Sequence, residues 1–252
     1  MAASGSAFRM RSLLALLAPL LLCAQGAQES KPLESLRYSI EWRLVRAGTA
    51  TLSRTALARG GQSELKLESA GLVNTLYRVN DYYKVLYDAG FCASSTYMKA
   101  EEGSRRRETH VTFDANTKKS NYNEQDLVKN TTVLTRQLDI PTCVHDVVAA
   151  LGKLRSLRVP LGQTVQLPMS DGKKLITARV EAQEKETVTT AAGTFQAIRY
   201  EANLFNGELY ARKGRLFLWI TDDERRIPVQ IRAKLNFPVG TISLALEKIG
   251  PS

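Results

Sequence analysis

The residues that could perform chemistry are few and scattered in this chain of 252 residues. It has two histidines, His110 and His145, and one run of three acids, Asp222, Asp223 and Glu224. Paired carboxylates hydrolyse glycosidic bonds when they face each other across a cleft of about 5–10 Å, whereas adjacent residues of a turn point in different directions. The histidines lack the close ligand spacing of zinc sites. We therefore interpret the acids as a polar turn and predict no catalytic residue, no metal site and no cofactor.

Signatures of other enzyme classes are also missing from the sequence. No GxSxG stretch occurs, which would place a serine nucleophile on a strained turn. A phosphate-binding loop and a dinucleotide fingerprint are missing as well. We expect a protein that is not an enzyme, and an uncharacterised hydrolase stays as a third interpretation behind the two given below.

The first 26 residues have the order of features of an export signal. Two arginines precede an uncharged apolar run from Leu13 to Leu22, and small residues around Gly26 suit cleavage. The run is shorter than the roughly 20 residues that span a bilayer, and a buried N-terminal helix is the alternative. We expect residues 1–26 to be a signal peptide and residues 27–252 to form a single β-rich domain that is exported and soluble after cleavage.

Export changes the interpretation of the cysteines. Cys92 and Cys143 are the two that remain after cleavage near Gly26, and thiols in an oxidising compartment tend to pair. A disulfide closing a loop of about 50 residues would stabilise the fold by roughly 4 kcal/mol through chain entropy. A structural disulfide is the preferred interpretation, with unpaired buried cysteines and redox chemistry as the alternatives.

The chain is basic, with 35 Lys and Arg against 25 Asp and Glu. The densest cluster is Arg105, Arg106 and Arg107. Export argues against nucleic acid as the partner, and no aromatic residues interleave with the cluster to stack on bases. Arginine suits phosphate through its planar fork, so the three arginines are predicted contacts for a membrane surface or an anionic envelope polymer. The alternative is a solvated face that aids solubility.

Most of the chain has the alternating pattern of half-buried strands. Leu36, Tyr38, Ile40, Trp42 and Leu44 alternate with polar residues, and similar stretches follow at the spacing of sandwiches and barrels. Turns are expected at Ala47-Gly48 and at Asp171-Gly172. His110 falls on the polar phase of its strand and is expected at the surface.

One segment has helical spacing instead. Val144, Val147, Val148, Leu151 and Leu154 recur on one face. The spacing predicts an amphipathic helix over about 142–157, with Thr142 as its N-cap and His145 in its first turn. A short helical turn is also possible at residues 72–78. Together the elements predict a mostly β fold, either a single antiparallel β-barrel or a strongly curved sheet or sandwich of about a dozen strands.

The C-terminal half resembles a known family. The stretches 218–229 and 240–244, the turn at 192–195 and Cys143-Val-His-Asp146 on the helix are similar to a bacterial envelope family catalogued as domain of unknown function 3108. The match runs from about Tyr38 to Leu246. The resemblance implies an exported, β-rich periplasmic protein, and it implies no activity for any residue.

Two functional interpretations follow, from different classes. A curved sheet with a helix across its mouth can enclose an apolar cavity, which would make the protein a module that binds a lipid or other apolar ligand. Tyr38, Trp42, Phe217 and Trp219 are the predicted lining, and a filled aromatic core is the alternative for them. The second interpretation is a structural or assembly protein of the cell envelope acting through its surface. An apolar cavity above about 300 Å³ would favour ligand binding, and a close-packed interior would favour surface interaction.

Overall fold

The computed structural model describes residues 1–2, 33–205, 209, 213–236 and 238–250. The predicted signal peptide and its cleavage site therefore lie outside the described residues, apart from the first two. Among the described residues, no helix is both long enough and apolar enough to cross a bilayer.

The described residues form one antiparallel sheet of fourteen strands with two short helices. The sheet order is β8-β7-β6-β5-β4-β3-β2-β1-β14-β13-β12-β11-β10-β9. The elements in chain order are β1 (Glu34–Trp42), β2 (Val45–Leu57), β3 (Gly60–Ser69), α1 (Gly71–Leu76), β4 (Asn80–Tyr87), β5 (Ala93–Glu102), β6 (Arg105–Asp114), β7 (Lys119–Asp126), β8 (Thr131–Asp139), α2 (Val147–Ser156), β9 (Thr164–Ser170), β10 (Leu175–Thr190), β11 (Gly193–Ala202), β12 (Gly214–Thr221), β13 (Pro228–Leu235) and β14 (Gly240–Gly250). The prediction of a mostly β, strongly curved antiparallel sheet is confirmed.

The sheet is not closed, because its outermost strands β8 and β9 do not pair with each other. Residues 143–146, here called the closing segment, lie between the two halves instead. On one side the Ala93 N–H donates to Val144 O at 2.8 Å. On the other side His145 and β9 exchange two backbone bonds, His145 N–H to Pro168 O and Ser170 N–H to His145 O, each 2.9 Å long. This extended segment joins β5 to β9 as a short strand would.

The predicted disulfide is present at the start of the closing segment. Cys92 and Cys143 are bonded, and their Cα atoms are 5.0 Å apart. The bond fixes the closing segment to the turn that precedes β5. The thiols are therefore neither unpaired nor a free dithiol.

Helix α2 is shorter than the sequence predicts, and its N-cap is Asp146 rather than Thr142. The Asp146 carboxylate accepts hydrogen bonds from the N–H groups of Val148 and Ala149. His145 accordingly lies before the helix and not in its first turn. The reason is the closing segment, because residues that pair with β5 and β9 must be extended and cannot be helical at the same time.

The prediction of a turn at Ala47-Gly48 is wrong. Both residues lie inside β2, and the hairpin turns at Arg43 and Leu44, whose φ angles are 51° and 67°. In the β1–β2 pairing, Ile40 lies opposite Gly48 and Glu41 lies opposite Arg46. Ala47 therefore has no partner on β1 and forms a β-bulge. A Cβ at Gly48 would lie 2.2 Å from Glu68 O, so the glycine permits a close approach of β3 rather than a turn. The turns at Asp171-Gly172 and Ala192-Gly193 occur as expected.

The core forms three clusters of buried side chains. One joins α2 to β9–β12, the second joins β1, β13 and β14 to the β10–β11 hairpin and to Phe217 and Trp219 of β12, and the third joins β4–β7 to the closing segment. Helix α2 contributes Leu154 to the first cluster and Val148 to the third. It therefore links two halves of the sheet that are distant in strand order.

Candidate functional site

An apolar cavity of about 440 Å³ lies between α2 and the concave side of the sheet. Nine strands line it from one side, in two groups, β1–β3 with β12–β14, and β9–β11. Helix α2 lines it from the other side, and residues 204–205 complete it. The lining residues are Tyr38, Ile40, Ala50, Leu52, Leu65, Leu67, Val147, Val148, Ala150, Leu151, Leu154, Leu167, Met169, Val180, Ala202, Leu204, Phe205, Leu216, Leu218, Ile231, Ile242 and Leu244.

Strand periodicity explains how this lining forms. Successive side chains of a strand point to opposite faces, so residues two apart share the concave face. Each of the strands β1, β2, β3, β12 and β14 supplies one such pair of apolar residues. The cavity therefore follows from the alternating pattern together with the inward curvature of the sheet.

Tyr38 carries the hydroxyl group of the lining. Its Oη donates to Pro228 O at 2.8 Å, and burial raises the pKa of this phenol far above its ordinary value. The hydroxyl is thus neutral and already has a partner. Every other lining side chain among the described residues is a hydrocarbon or a thioether, so this described lining offers no charge to a ligand.

Polar contacts hold the C-terminal end of α2 in place. Arg155 Nη1 and Nη2 donate to the two carboxylate oxygens of Glu34 at 2.6 and 2.8 Å, and Arg155 Nε donates to Arg226 O at 2.7 Å. Arg226 returns a bond from its Nε to Arg155 O at 2.8 Å and donates through Nη2 to Tyr200 Oη. These paired arginines fix the helix to the start of β1 and to the β12–β13 loop.

The N-terminal end of α2 is held by the closing segment. The Tyr83 hydroxyl donates to Asp146 Oδ2 at 2.7 Å, in addition to the two helix N–H groups that this carboxylate caps. His145 is buried, and its Nδ1 lies 2.6 Å from Phe91 O. Helix α2 is therefore anchored at both ends above an apolar interior.

The structure brings Tyr38 to the cavity but not the other three predicted aromatic residues. Trp42 shares the concave face of β1 and pairs with Ile242, a lining residue. It lies beyond the cavity, 39% exposed, with its indole N–H donating to Val239 O at 2.7 Å. Phe217 and Trp219 lie on the face of β12 opposite to the lining residues Leu216 and Leu218.

Phe217 and Trp219 are covered by basic side chains on the convex face of the sheet. The Arg215 guanidinium lies 4.8 Å and the Lys234 ammonium 5.5 Å from the Phe217 ring centre, and Arg232 lies 5.3 Å from that of Trp219. The Trp219 indole N–H donates to Glu186 Oε2 at 2.8 Å. Both rings are buried beneath these charges, which is why hydrophobicity alone did not indicate their face.

The predicted basic cluster is engaged with acidic neighbours. Arg105 pairs with Glu102 and Glu124, both at 3.3 Å. Arg107 Nη2 pairs with Asp126 at 3.2 Å. Arg106 Nη1 donates to the carbonyls of Gly103 and Arg105. The arginines at the β5–β6 turn thus form ion pairs and hydrogen bonds within the protein, although the Arg105 side chain remains half exposed.

The histidines and the acid run are not among the side chains that line the cavity. His110 is exposed, bonds Glu108 at 2.9 Å and packs against Tyr97. The acid run is a turn in which Asp223 Oδ1 accepts from the Thr221 hydroxyl and the Arg226 N–H. Within the described ranges, no three His, Cys, Asp or Glu residues are grouped closely enough to hold a metal ion.

Sequence reasoning missed most of the lining because it searched for aromatic residues. The lining is mainly leucine, isoleucine, valine and alanine, contributed by nine strands and α2. The sequence feature that could have indicated lining residues is the apolar stripe of Val147, Val148, Leu151 and Leu154. It predicts α2, and all four residues line the cavity.

Comparison with known proteins gives a family and a fold. Residues 37–247 match the family model described as "Protein of unknown function (DUF3108)". The β-barrel-like protein of domain of unknown function DUF1849 from Brucella abortus is similar in structure, with a TM-score of 0.57 at 9% identity over 88% of this chain and 99% of that chain. A provisionally assigned exported protein with YmcC-like fold from Bacteroides fragilis matches with a TM-score of 0.32 at 9% identity, over 88% and 97% of the two chains. A comparison with curated proteins gives no significant match.

Proposed function

Since this chain belongs to the DUF3108 family of proteins of unknown function, we propose from the site itself that it is a non-catalytic module that binds a hydrophobic or lipid-like ligand. The observation that carries the proposal is the apolar cavity of about 440 Å³ under α2. Its volume falls within the range of roughly 300–1,000 Å³ of small-ligand sites. A close-packed interior would have had no such space.

The chemistry of the lining defines the class of ligand. A charged group placed among hydrocarbon side chains would lose its hydration without gaining a partner, which costs several kcal/mol. An acyl chain loses nothing of this kind and gains roughly 0.8 kcal/mol for each buried CH₂ group. The part of the ligand inside the cavity is therefore an uncharged hydrocarbon, and any polar headgroup stays outside.

The proposed place of action is outside the cytoplasm, in the periplasm. The Cys92–Cys143 disulfide supports this, since such bonds persist in oxidising compartments. The export signal predicted for residues 1–26 supports it as well.

The experiment is native mass spectrometry with lipid extraction on the full chain, purified under mild conditions from the cells that produce it. We expect an apolar ligand at near one-to-one stoichiometry. The variant Ala202→Phe places a ring in the cavity and is expected to lose the ligand. Trp219→Phe, on the opposite face of the sheet next to a lining residue, is the matched control and keeps the ligand.

A wild-type protein of clean apo mass would contradict the proposal. It would favour a structural or assembly role in the envelope, for which crosslinking to partner proteins is the corresponding measurement. Equal ligand retention by Ala202→Phe would show that the ligand binds elsewhere.

A further inference from the structure

Large exposed apolar side chains are concentrated at one end of the sheet. Because the strands are antiparallel, the β1–β2 turn, α1 and the β7–β8 turn all lie at the end toward which β1 runs. Leu44, Leu72 and Leu76 are 94%, 74% and 84% exposed, respectively. We call the eight exposed apolar side chains of these three connections the apolar rim, and its members are Trp42, Leu44, Val45, Leu72, Leu76, Tyr77, Leu127 and Val128.

The opposite end of the sheet has a different surface. Its turns are polar, including residues 58–59, 88–90, 115–118 and 222–225. The exposed aliphatic residues Leu33, Leu57 and Leu161 lie there next to or within strand ends, and they are only 49%, 41% and 46% exposed. The exposure of the apolar rim is thus a property of one end and not of the surface in general.

Basic residues stand directly beside each part of the apolar rim. Arg43 and Arg46 flank Leu44 and Val45, Arg78 follows Tyr77, and Lys129 follows Val128. Arg46 pairs with Glu247 at 2.9 Å, while Arg43 donates to backbone carbonyls of residues 238 and 239 and lies over the Trp42 ring. Protruding aliphatic and aromatic side chains with adjacent Arg or Lys are typical of surfaces that enter the headgroup region of anionic bilayers.

The backbone of the β1–β2 turn, at the tip of the apolar rim, has a conformation that is unfavourable for its residues. Arg43 and Leu44 both have positive φ angles, and this turn geometry favours Asn and Gly. Leucine at such a position costs stability and contributes no packing here, because its side chain is almost fully exposed. Strain of this kind is a recurrent property of functional sites.

The apolar rim is continuous with the cavity. Trp42 of the rim pairs across the strands with Ile242, and Ile40, two residues before Trp42 on the same face, lines the cavity with Ile242. We propose that the apolar rim docks the protein on an anionic phospholipid bilayer, which places the cavity next to the source or destination of its ligand. The transfer of ligand rests on the proposed function, whereas docking does not require a ligand.

The test is co-sedimentation of the full chain with vesicles of phosphatidylglycerol and phosphatidylethanolamine, compared with vesicles of phosphatidylcholine. We expect binding to the anionic vesicles that weakens as salt increases. The double variant Leu44→Asn/Leu76→Ser should bind about tenfold less, because two apolar side chains no longer enter the interface. Leu57→Ser, an exposed leucine at the opposite end, is the matched control and should bind as the wild type does.

Three results would overturn the docking proposal. The first is a wild type that does not sediment with anionic vesicles at low salt. The second is a double variant that sediments as well as the wild type. The third is a wild-type dimer in light scattering that becomes a monomer in the double variant without any vesicle binding, which would assign the rim to self-association. Vesicle binding by a protein that carries no ligand would support docking while the cavity function fails, so the two proposals are tested separately.

Discussion

Phe91 packs so closely on Gly152 that a Cβ atom at position 152 would lie 2.5 Å from its ring carbon Cε1. The ring cannot move away freely, because it stacks on Tyr87 with 5.1 Å between ring centres, and the Phe91 carbonyl is hydrogen bonded to His145. Helix propensity alone would count Gly152 as a loss of about 1 kcal/mol. The structure shows that this glycine allows α2 to lie against the turn that carries the disulfide.

We expect Gly152→Ala to lower the free energy of unfolding by a net amount of about 1 kcal/mol. Overpacking a core contact costs about 1–3 kcal/mol, which outweighs the gain in helix propensity. Urea denaturation of Gly152→Ala, Phe91→Leu and the double variant forms the measurement. In the Phe91→Leu background the alanine should be neutral or stabilising, and an equal loss in both backgrounds would show that the ring contact is not the cause.

The sheet could be predicted from the sequence because its signal is local. The alternation from Leu36 to Trp42 gives a strand with one buried face whatever its neighbours are, and Asp171-Gly172 forms a turn from its own backbone preferences. Gly48 was misassigned because its requirement comes from Glu68 on another strand, which no local pattern contains. Asp146 caps α2 instead of Thr142 for the same reason, since the extended closing segment is determined by its pairing with β5 and β9.

The sequence left open whether the interior holds a cavity or a filled core, and it did not indicate most of the lining residues. Tyr38 follows from strand periodicity, and Trp42 lies one pair further along the same face. Phe217 and Trp219 alternate with Leu216 and Leu218, so both faces of β12 are apolar in sequence and periodicity could not select the inner one. Cations cover the outer face of β12, including Arg215 of β12 itself and Arg232 of β13. They identify the outer face only once the pairing of β12 with β13 is known.

Loss of the disulfide should act on the closing segment before the rest of the sheet. The double variant Cys92→Ser/Cys143→Ser removes a crosslink between residues 51 positions apart, which costs about 4 kcal/mol by chain entropy. We expect the amide protons of His145 and Ser170, which form the hydrogen bonds between the closing segment and β9, to exchange faster by hydrogen–deuterium exchange. Amides of the β2–β3 ladder are the internal control, and uniform acceleration of both sets would show only global destabilisation.

The contribution of Asp146 to stability should decrease with rising pH. Burial raises the pKa of this carboxyl, and the hydrogen bonds from Tyr83, Val148 and Ala149 oppose the shift only in part. The folded state then holds the proton more tightly than the unfolded chain, whose pKa is about 3.9. This stabilisation is complete below that value and is lost as the pH rises through the folded pKa.

The measurement for Asp146 is urea denaturation of the wild type and Asp146→Asn at several pH values between about 4 and 8. Asparagine is also a good N-cap and does not titrate. The free energy of unfolding of the wild type, relative to that of the variant, should fall across this range. A relative stability that rises with pH would show that the cap is favoured as a carboxylate.

Leu44→Asn should raise the free energy of unfolding and weaken binding to anionic vesicles. The φ angle of Leu44 is 67°, a conformation that costs leucine roughly 1 kcal/mol and that asparagine tolerates. The lost side chain is 94% exposed and therefore contributes no packing to the fold. Thermal and urea denaturation should show a gain in the free energy of unfolding of up to about 1 kcal/mol, while sedimentation with anionic vesicles decreases.

The matched control is the reverse change on the β7–β8 turn, Asn130→Leu. Asn130 has a φ angle of 51°, so the leucine variant should be less stable than the wild type but should still bind vesicles. A Leu44→Asn variant that is less stable than the wild type would show that Leu44 serves the fold, and the argument from strain to membrane docking would fail with it.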